Sequence, residues 1–391
     1  MPSGLLPAFA AGVVSFLALA LRLGRRAPAD GIPLLDVAAL ADANQLRRAA
    51  TDLGILRLSG HGISSDVVMN ASREFFARPE GVKRSARSGS GAVGGFQRGY
   101  IPLGGESGLR EFVELKEGFC YGRAGGVREE HVSNGTDQSA GQLQSCEQLV
   151  SPNAWPEEDG DADEEGGWRR TLEAYIDECL GLTDTLHTAL STAMGRPPDF
   201  LGRLARGGED ISLMRLFHYF SPDAFPHIAP GVPRTGSSPH TDWHLVTIVL
   251  QDETGGLQVR RPRPPFDWID VPPVKDELIV ILGDYMSVLS EGRFVSPVHR
   301  VLLPANPHER FSLTFFRYPR CGATVPADAA RRAEKRARRR TREQQRHPEG
   351  GGAYNTLVAA DPKGEGLNAV ARRAWGDLLV DKWNGVASNK A

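Results

Sequence analysis

The stretch "SSPHTDWHLVTIVLQDETGGLQV", Ser237–Val259, is the most informative about the fold of this protein. A polar cluster containing His240 and Asp242 stands directly before an apolar run, and that run ends at a Gly-Gly turn. A short apolar run between turn residues is typical of a strand that is buried on both faces. Residues i and i+2 of an extended segment point the same way, so His240 and Asp242 are either ordinary loop residues or two ligands of one metal ion.

Eight short strand-like runs, this one included, lie between Ile211 and Tyr318 and are separated by Gly, Pro, Asp and Asn. In chain order they read "ISLMRLFHY", "LVTIVLQ", "GLQVR", "FDWID", "ELIVILGD", "MSVLS", "VHRVLLP" and "RFSLTFFRY". Many short strands at such spacing predict a β-barrel or β-sandwich. Helical spacing over Trp168–Gly195 predicts a long helix that covers one face of the sheet.

A third candidate metal ligand, His299, begins another strand-like run 57 residues after Asp242. Two histidines and one carboxylate on one face of a metal ion leave its other positions open, which is the ligand set of non-haem Fe(II) oxygenases. His244 also lies two residues from Asp242. Because the set is already complete with His240 and His299, we interpret His244 as a pocket or packing residue.

A candidate anion site, Arg310-Phe311-Ser312, follows His299 by eleven residues. A guanidinium binds a carboxylate through two parallel charge-assisted hydrogen bonds. The Ser312 hydroxyl, on the same face of the strand, adds a donor, and Tyr219 in "MRLFHYF" can add a phenol. The pattern predicts a carboxylate-binding end of the barrel.

In this order and spacing, the H-x-D, distant His and R-x-S elements resemble the isopenicillin-N-synthase-like branch of the 2-oxoglutarate/Fe(II)-dependent dioxygenases. Upstream, "IPLLDV", "GILRLSGHGI", "REFFARPEGVK" and "NAWP" are similar to N-terminal elements of that family, so the resemblance spans Gly31 to Tyr318. One departure is "FHYF" where many members have "NYYP", although Tyr219 keeps its position. The resemblance implies an α+β, mainly β fold: a double-stranded β-helix (jelly roll) with flanking helices.

The resemblance also implies two sets of site residues, carried over by position: the Fe(II) ligands His240, Asp242 and His299, and the 2-oxoglutarate ligands Tyr219, Arg310 and Ser312. The implied reaction couples decarboxylation of 2-oxoglutarate to succinate with hydroxylation, desaturation or ring closure of a small organic metabolite. Dioxygen is the oxidant, and ascorbate is a possible reductant.

Three other functions compete with this one. A related non-haem iron oxidase would use dioxygen without 2-oxoglutarate, and succinate release separates the two. A membrane-tethered binding protein with an inactive barrel would not bind iron. A zinc hydrolase would leave the R-x-S element unexplained.

The N-terminal segment Gly4–Leu21 carries no charge and is followed by Arg22, Arg25 and Arg26. Its 18 residues approach the roughly 20 that cross a membrane as a helix. The arginines then place the following chain in the cytoplasm, so we expect a membrane anchor with a cytoplasmic catalytic domain. A cleaved signal peptide and a soluble cytoplasmic protein are the alternatives.

The charge and cysteine content restrict the partners and the covalent chemistry. A net charge of -2 over 391 residues argues against a nucleic-acid partner. The four cysteines are widely spaced and form no C-x-x-C, which predicts reduced thiols rather than a disulfide framework.

We expect four regions along the chain. They are an apolar segment (1–28), an N-terminal mixed α/β region (29–207) with loop insertions near 123–166, the jelly-roll core (208–320), and a C-terminal region (321–391). In the last region, residues 331–346 predict an exposed basic helix, and "GLNAVARRAWGDLLVDKWNGV" predicts an amphipathic helix that packs back on the domain.

Overall fold

The computed structural model describes residues 31–87, 96–105, 113–123, 146–157, 167–206, 208, 210–225, 228, 231–305, 307–344 and 373–388. The apolar segment 4–21 lies outside these ranges, as does most of the insertion predicted near 123–166. Within them, no helix combines the length and the apolar character needed to cross a membrane. The four-region division of the chain stays a prediction.

The described part of the chain forms fourteen strands. They are β1 (Leu34–Asp36), β2 (Ile55–Ser59), β3 (Gly99–Ile101), β4 (Val113–Glu114), β5 (Lys116–Gly122), β6 (Leu213–Tyr219), β7 (Arg234–Thr235), β8 (Ser237–His240), β9 (Val246–Gln251), β10 (Leu257–Arg260), β11 (Trp268–Asp270), β12 (Leu278–Leu282), β13 (His299–Val301) and β14 (Arg310–Arg317). An eight-stranded sheet has the order β1-β2-β12-β9-β14-β6-β5-β3, and a four-stranded sheet has the order β11-β10-β13-β8.

Helices flank these sheets. In the described ranges they are α1 (Ala43–Asp52), α2 (Ser65–Ala77), α3 (Glu80–Ser85), α4 (Trp168–Met194), α5 (Phe200–Ala205), α6 (Asp284–Leu289), α7 (Ala327–Gln344) and α8 (Trp375–Ser388). The predicted long helix is α4, and it ends at Gly195, whose φ of 76° suits a residue without a Cβ.

Two hydrophobic clusters lie on opposite faces of the eight-stranded sheet. The inner cluster joins Val249 and Ile281 of that sheet to Leu257 and Val301 of the four-stranded sheet, and so fills the interior of the jelly roll. The outer cluster is larger and packs the other face under the helices. Because both faces of the sheet are covered, the side chains of β9 are buried on either side of the strand. Its sequence "VTIVLQ" is therefore mostly apolar and does not alternate between apolar and polar residues. The predicted jelly roll with flanking helices is confirmed.

The strand predicted for "MSVLS" is wrong, because this run lies in helix α6 and at its end. Gly283 sits so close to the main chain of His244 that a Cβ would lie 1.9 Å from the His244 carbonyl oxygen. The Asp284 N–H donates to the Asp242 carbonyl oxygen (2.7 Å), so the chain turns at this point. Nearly every side chain of α6 is buried, and a short helix buried all around has no periodicity that distinguishes it from a strand.

The prediction of four reduced thiols is also wrong. Cys146 and Cys321 form a disulfide with an S–S distance of 2.00 Å, whereas Cys120 and Cys179 are free and buried. The two bonded cysteines are 175 residues apart in the chain. No local spacing pattern can indicate such a pair, because only the folded chain brings the two segments together.

The C-terminal region contains both predicted helices. Helix α7 exposes most of its described arginines and buries Ala329, Ala330 and Ala333, as expected for a solvated basic helix that rests on one apolar stripe. Helix α8 begins at Trp375, which is fully buried against Tyr285 (ring centroids 4.3 Å apart). The described part of the predicted amphipathic segment, from residue 373 onward, therefore packs onto the domain.

Candidate metal centre and active-site cavity

Strand pairing brings three candidate metal ligands together. His240 ends β8, Asp242 follows two residues later, and His299 begins β13 directly opposite His240. One donor atom from each of the three residues lies within 4.8 Å of the others. Among the described residues, this is the group of histidine, cysteine and acidic side chains that could hold a metal ion.

Backbone carbonyl groups orient both imidazoles. His240 Nδ1 lies 2.7 Å from the Ser238 carbonyl oxygen, and His299 Nδ1 lies 3.2 Å from that of Pro297. Since a carbonyl oxygen only accepts, each Nδ1 carries the proton and each Nε2 keeps a lone pair. The two Nε2 atoms lie 3.6 and 3.7 Å from the Asp242 carboxylate, so all the lone pairs converge on one small volume.

Burial and neighbouring side chains together give this group the charge state that a cation requires. Burial, together with the nearby His299, lowers the pKa of His240 to about 4, so its imidazole is neutral at pH 7. Burial acts to raise the pKa of Asp242, but His244 and His299 hold that pKa well below its ordinary value. Thr247 also donates its hydroxyl to the Asp242 carboxylate. Asp242 is therefore an oriented carboxylate at neutral pH.

His244 lies beside this group but outside it. Its side chain is 2% exposed and packs against the rings of Phe316 and Tyr318. Its Nε2 lies 3.5 Å from Asp242 and 3.2 Å from the Thr247 hydroxyl. This placement agrees with the interpretation of His244 as a pocket residue, and it adds a role in holding Asp242.

The Arg310, Ser312 and Tyr219 side chains also meet, at another part of the same cavity. Antiparallel β14 and β6 place Arg310 opposite Tyr219, with the guanidinium carbon 4.6 Å from the centre of the phenol ring. Arg310 is 1% exposed, and its Nη1 donates to the Ser312 hydroxyl (3.2 Å).

Two further groups, which sequence reasoning missed, fix the guanidinium. Arg310 Nε donates to the Gly255 carbonyl oxygen (2.6 Å), and Nη2 donates to Gln251 Oε1 (3.2 Å). Gln251 ends the apolar strand β9, and Gly255 belongs to the Gly-Gly turn that follows it. Neither residue type signals such a contact before the fold is known.

A buried lysine, Lys116, was also missed. Strand β5 places it opposite Tyr219, so it extends the row that Arg310 and Tyr219 begin. Its Nζ forms an ion pair with Glu114 (3.2 Å) and lies 3.5 Å from the Ser237 hydroxyl. In the sequence, this lysine is one polar residue among several in "ELKEG".

The three candidate ligands and the Arg310 group line one cavity of about 160 Å³. Lys116 and apolar residues of both sheets complete much of its wall. Helix α8 contributes Lys382 and Trp383 to the same wall. Burial lowers the pKa of Lys382 to about 8, so its ammonium form still predominates at pH 7. A cavity with an oriented donor group and separate cationic groups is suited to binding a metal ion and anionic small molecules.

Comparisons with known proteins show the family of this chain. The sequence profile of the 2OG-Fe(II) oxygenase superfamily matches residues 211–319, and that of the N-terminal region of non-haem dioxygenases in morphine synthesis matches residues 32–158. A 2-oxoglutarate-dependent dioxygenase of Monascus ruber, citB, is 33% identical over 277 residues, which cover 70% of this chain and 77% of the relative. A flavone synthase of Petroselinum crispum is 31% identical over 317 residues, covering 78% and 75% of the two chains.

Two solved structures share the fold. A full-length Neurospora crassa protein, crystallised in complex with alpha-KG, has a TM-score of 0.61 and 23% sequence identity, over 90% of this chain and 96% of that chain. A 2OG-Fe(II) oxygenase family protein from Caulobacter crescentus has a TM-score of 0.56 and 22% identity, over 75% of this chain and 88% of that chain.

Proposed function

The chain belongs to the 2OG-Fe(II) oxygenase superfamily and is a 2-oxoglutarate-dependent, non-haem iron dioxygenase of small organic metabolites; we propose which of its side chains perform each part of the reaction. The observation that carries the proposal is the convergence of three donor atoms in a cavity that also contains a buried arginine.

His240, Asp242 and His299 hold the Fe(II). Two neutral imidazoles and one carboxylate are the donors that Fe(II) accepts in a facial set. The Nδ1–H groups of both histidines are already engaged by carbonyl oxygens, so binding requires no change of tautomer. When bound, Fe(II) supplies dioxygen activation coupled to the decarboxylation of 2-oxoglutarate to succinate and carbon dioxide.

Arg310, Ser312 and Tyr219 bind the distal carboxylate of 2-oxoglutarate. The Gly255 and Gln251 contacts hold the guanidinium in place before the ligand arrives, which lowers the entropy cost of binding. The partners that hold Arg310 are a carbonyl oxygen, an amide oxygen and a hydroxyl, none of which cancels its charge. The guanidinium therefore attracts the cosubstrate through its full positive charge.

The cavity wall protects the reaction from water. Val249, Leu257 and Ile281 are buried residues of the inner cluster and line the same space. Exclusion of water strengthens the charge interactions of Arg310 and limits side reactions of the oxidant. The competing functions are not favoured, because the named relatives include a 2-oxoglutarate-dependent dioxygenase.

A succinate-release assay tests the proposal. Purified protein loaded with Fe(II) under argon is given 2-oxoglutarate, ascorbate and a metabolite library, and succinate is measured after dioxygen is added. We expect succinate above the metal-free control, with the strongest stimulation by the true substrate. Dioxygen consumption without succinate would replace the proposal with the 2-oxoglutarate-independent oxidase.

The cellular location remains a proposal based on the sequence, since residues 4–21 lie outside the described ranges. The arginines after this segment favour a membrane anchor with a cytoplasmic catalytic domain. The disulfide between Cys146 and Cys321 favours an oxidising compartment instead. Protease protection of intact membranes, followed by thiol labelling, distinguishes these two arrangements.

A further inference from the structure

The cavity has a second cationic region, separate from the proposed 2-oxoglutarate end. Strand β6 directs Tyr219, Phe217 and Arg215 into the cavity, and β14 places Thr314 opposite Arg215. At about 3.3 Å per residue, Arg215 lies roughly 13 Å along the strand from Tyr219. Arg215 therefore belongs to a different part of the wall from the group around Arg310.

Helix α8 brings a second cation to the cavity. Its start is fixed, because the Trp375 N–H donates to the Ala323 carbonyl oxygen (2.8 Å) and the Gly376 N–H donates to that of Cys321 (2.9 Å). Lys382 follows Trp375 by seven residues, which is about two helical turns, so both side chains lie on the same face of the helix. The Lys382 ammonium lies 4.1 Å from the ring centre of Trp243 and lines the cavity.

Positive side chains outnumber negative ones in the described wall of the cavity. Lys116, Arg215, Arg310 and Lys382 line it, whereas Asp242 is the one carboxylate among its described lining residues. The charges of Fe(II), Asp242, the 2-oxoglutarate dianion and Arg310 sum to zero in the loaded site. The nearby carboxylates of Asp284 and Asp242 also act on Lys382, but its side chain lines the cavity together with that of Arg215, so both can contact an anionic ligand there.

Aromatic side chains surround these cations. Phe316 lies under the Arg215 guanidinium (5.5 Å), and Trp243 and Trp383 lie beside Lys382. An apolar wall with a few convergent charged groups fits a ligand that has an apolar body and one anionic end.

We infer that the substrate is a small organic acid, whose carboxylate binds at Lys382 and Arg215 and whose apolar body packs against Trp243 and Phe316. This inference rests on the proposed function, because it concerns the substrate of that same site. Helix α8 then helps to determine specificity, since Lys382 reaches the substrate from outside the jelly roll.

The test compares acids with matched neutral compounds. The probes are benzoate, phenylacetate and cinnamate with their primary amides. They are added to protein that is loaded with 2-oxoglutarate and with Mn(II) instead of iron. Binding is measured by titration calorimetry and by quenching of tryptophan fluorescence, since two tryptophans lie beside Lys382. We expect at least one acid to bind ten times or more tightly than its amide.

Variants of Lys382 test whether its ammonium group is responsible for the tighter binding of the acid. Lys382→Met should weaken the binding of that acid by about ten- to a hundredfold, the value of one charged hydrogen bond. Lys382→Arg should restore most of the affinity, because it keeps the charge. Lys335→Met, which removes an exposed lysine of α7, is the matched control and should change nothing.

Three results would overturn the inference: equal affinity for acids and amides, acid binding that Lys382→Met does not change, or no acid binding by protein that binds 2-oxoglutarate normally. If the wild-type protein does not bind 2-oxoglutarate at all, the proposed function is contradicted instead, so the two failures are distinguishable.

Discussion

Replacement of Arg310 by glutamine tests the proposed 2-oxoglutarate end of the cavity most directly. The guanidinium is 1% exposed and held by Gly255, Gln251 and Ser312. A hydrogen bond to a charged group is worth roughly 1.5 to 3 kcal/mol, which corresponds to about ten- to a hundredfold in affinity. Arg310→Gln should therefore raise the Kd of 2-oxoglutarate by about that factor and leave the affinity for iron little changed.

The assay is calorimetric titration of 2-oxoglutarate into metal-loaded protein under argon, together with succinate formation against 2-oxoglutarate concentration. Arg310→Lys should rescue binding only partly, since an ammonium cannot form two parallel bonds to a carboxylate. Arg317→Gln is the matched control. Arg317 is a buried guanidinium at the end of the same strand, but it bonds to Asp210 and Ser212 outside the cavity.

The control separates binding from stability. Both substitutions remove internal hydrogen bonds, so both should lower the free energy of unfolding by about 1 kcal/mol or more. Arg310→Gln alone should weaken 2-oxoglutarate binding. Equal Kd values for the wild-type protein and Arg310→Gln, or equal losses in both variants, would refute the assignment of Arg310.

Four further predictions concern the metal, the disulfide, a buried histidine and the membrane. His299→Ala should abolish Fe(II) binding measured by metal analysis, whereas His244→Ala should retain it, and the reverse pattern would show that the ligands are wrongly assigned. Cys146→Ser should lower the free energy of unfolding by about 2 to 5 kcal/mol in denaturant titrations, because the disulfide that it removes closes a long loop of chain. Added reductant should lower the free energy of unfolding of the wild-type protein but not that of the variant. Burial lowers the pKa of His187 to about 3, so as the pH falls the unfolded state binds a proton at this histidine before the folded state does. The free energy of unfolding should therefore fall by about 1.4 kcal/mol per pH unit below about pH 6.5. His187→Leu should make the free energy of unfolding less dependent on pH, as measured by unfolding curves at about pH 7 and 5. The full-length protein should resist carbonate extraction from membranes if residues 4–21 form an anchor, and a mature N-terminus near Leu21 would show cleavage instead.

Some features of the site were predictable because they depend on local geometry. The i, i+2 spacing of His240 and Asp242, and that of Arg310 and Ser312, place each pair on one face of an extended chain wherever that chain lies. The same rule separates Tyr219 from its neighbour in the strand, His218. Tyr219 lines the cavity, while His218 bonds to Glu117 (2.8 Å) outside it.

Other features depend on segments that meet only after folding. Lys116 faces the cavity because β5 pairs with β6, and Gln251 reaches Arg310 because β9 pairs with β14. Helix α6 reads as a strand in the sequence, since complete burial removes the periodicity that distinguishes the two.

Periodicity and short spacing are properties of neighbouring residues, so they were enough to predict the strand-rich core, the long helix and the pairs His240–Asp242 and Arg310–Ser312. The places of His299 and Tyr219 in the two ligand sets came from the order of motifs that the chain shares with a known family. The bond between Cys146 and Cys321, and the position of Lys382 in the same cavity as His240, became evident from the folded chain alone. These pairs are far apart in the chain, and no local preference joins them. Their proximity follows from burial of the two hydrophobic clusters, which is a property of the whole fold.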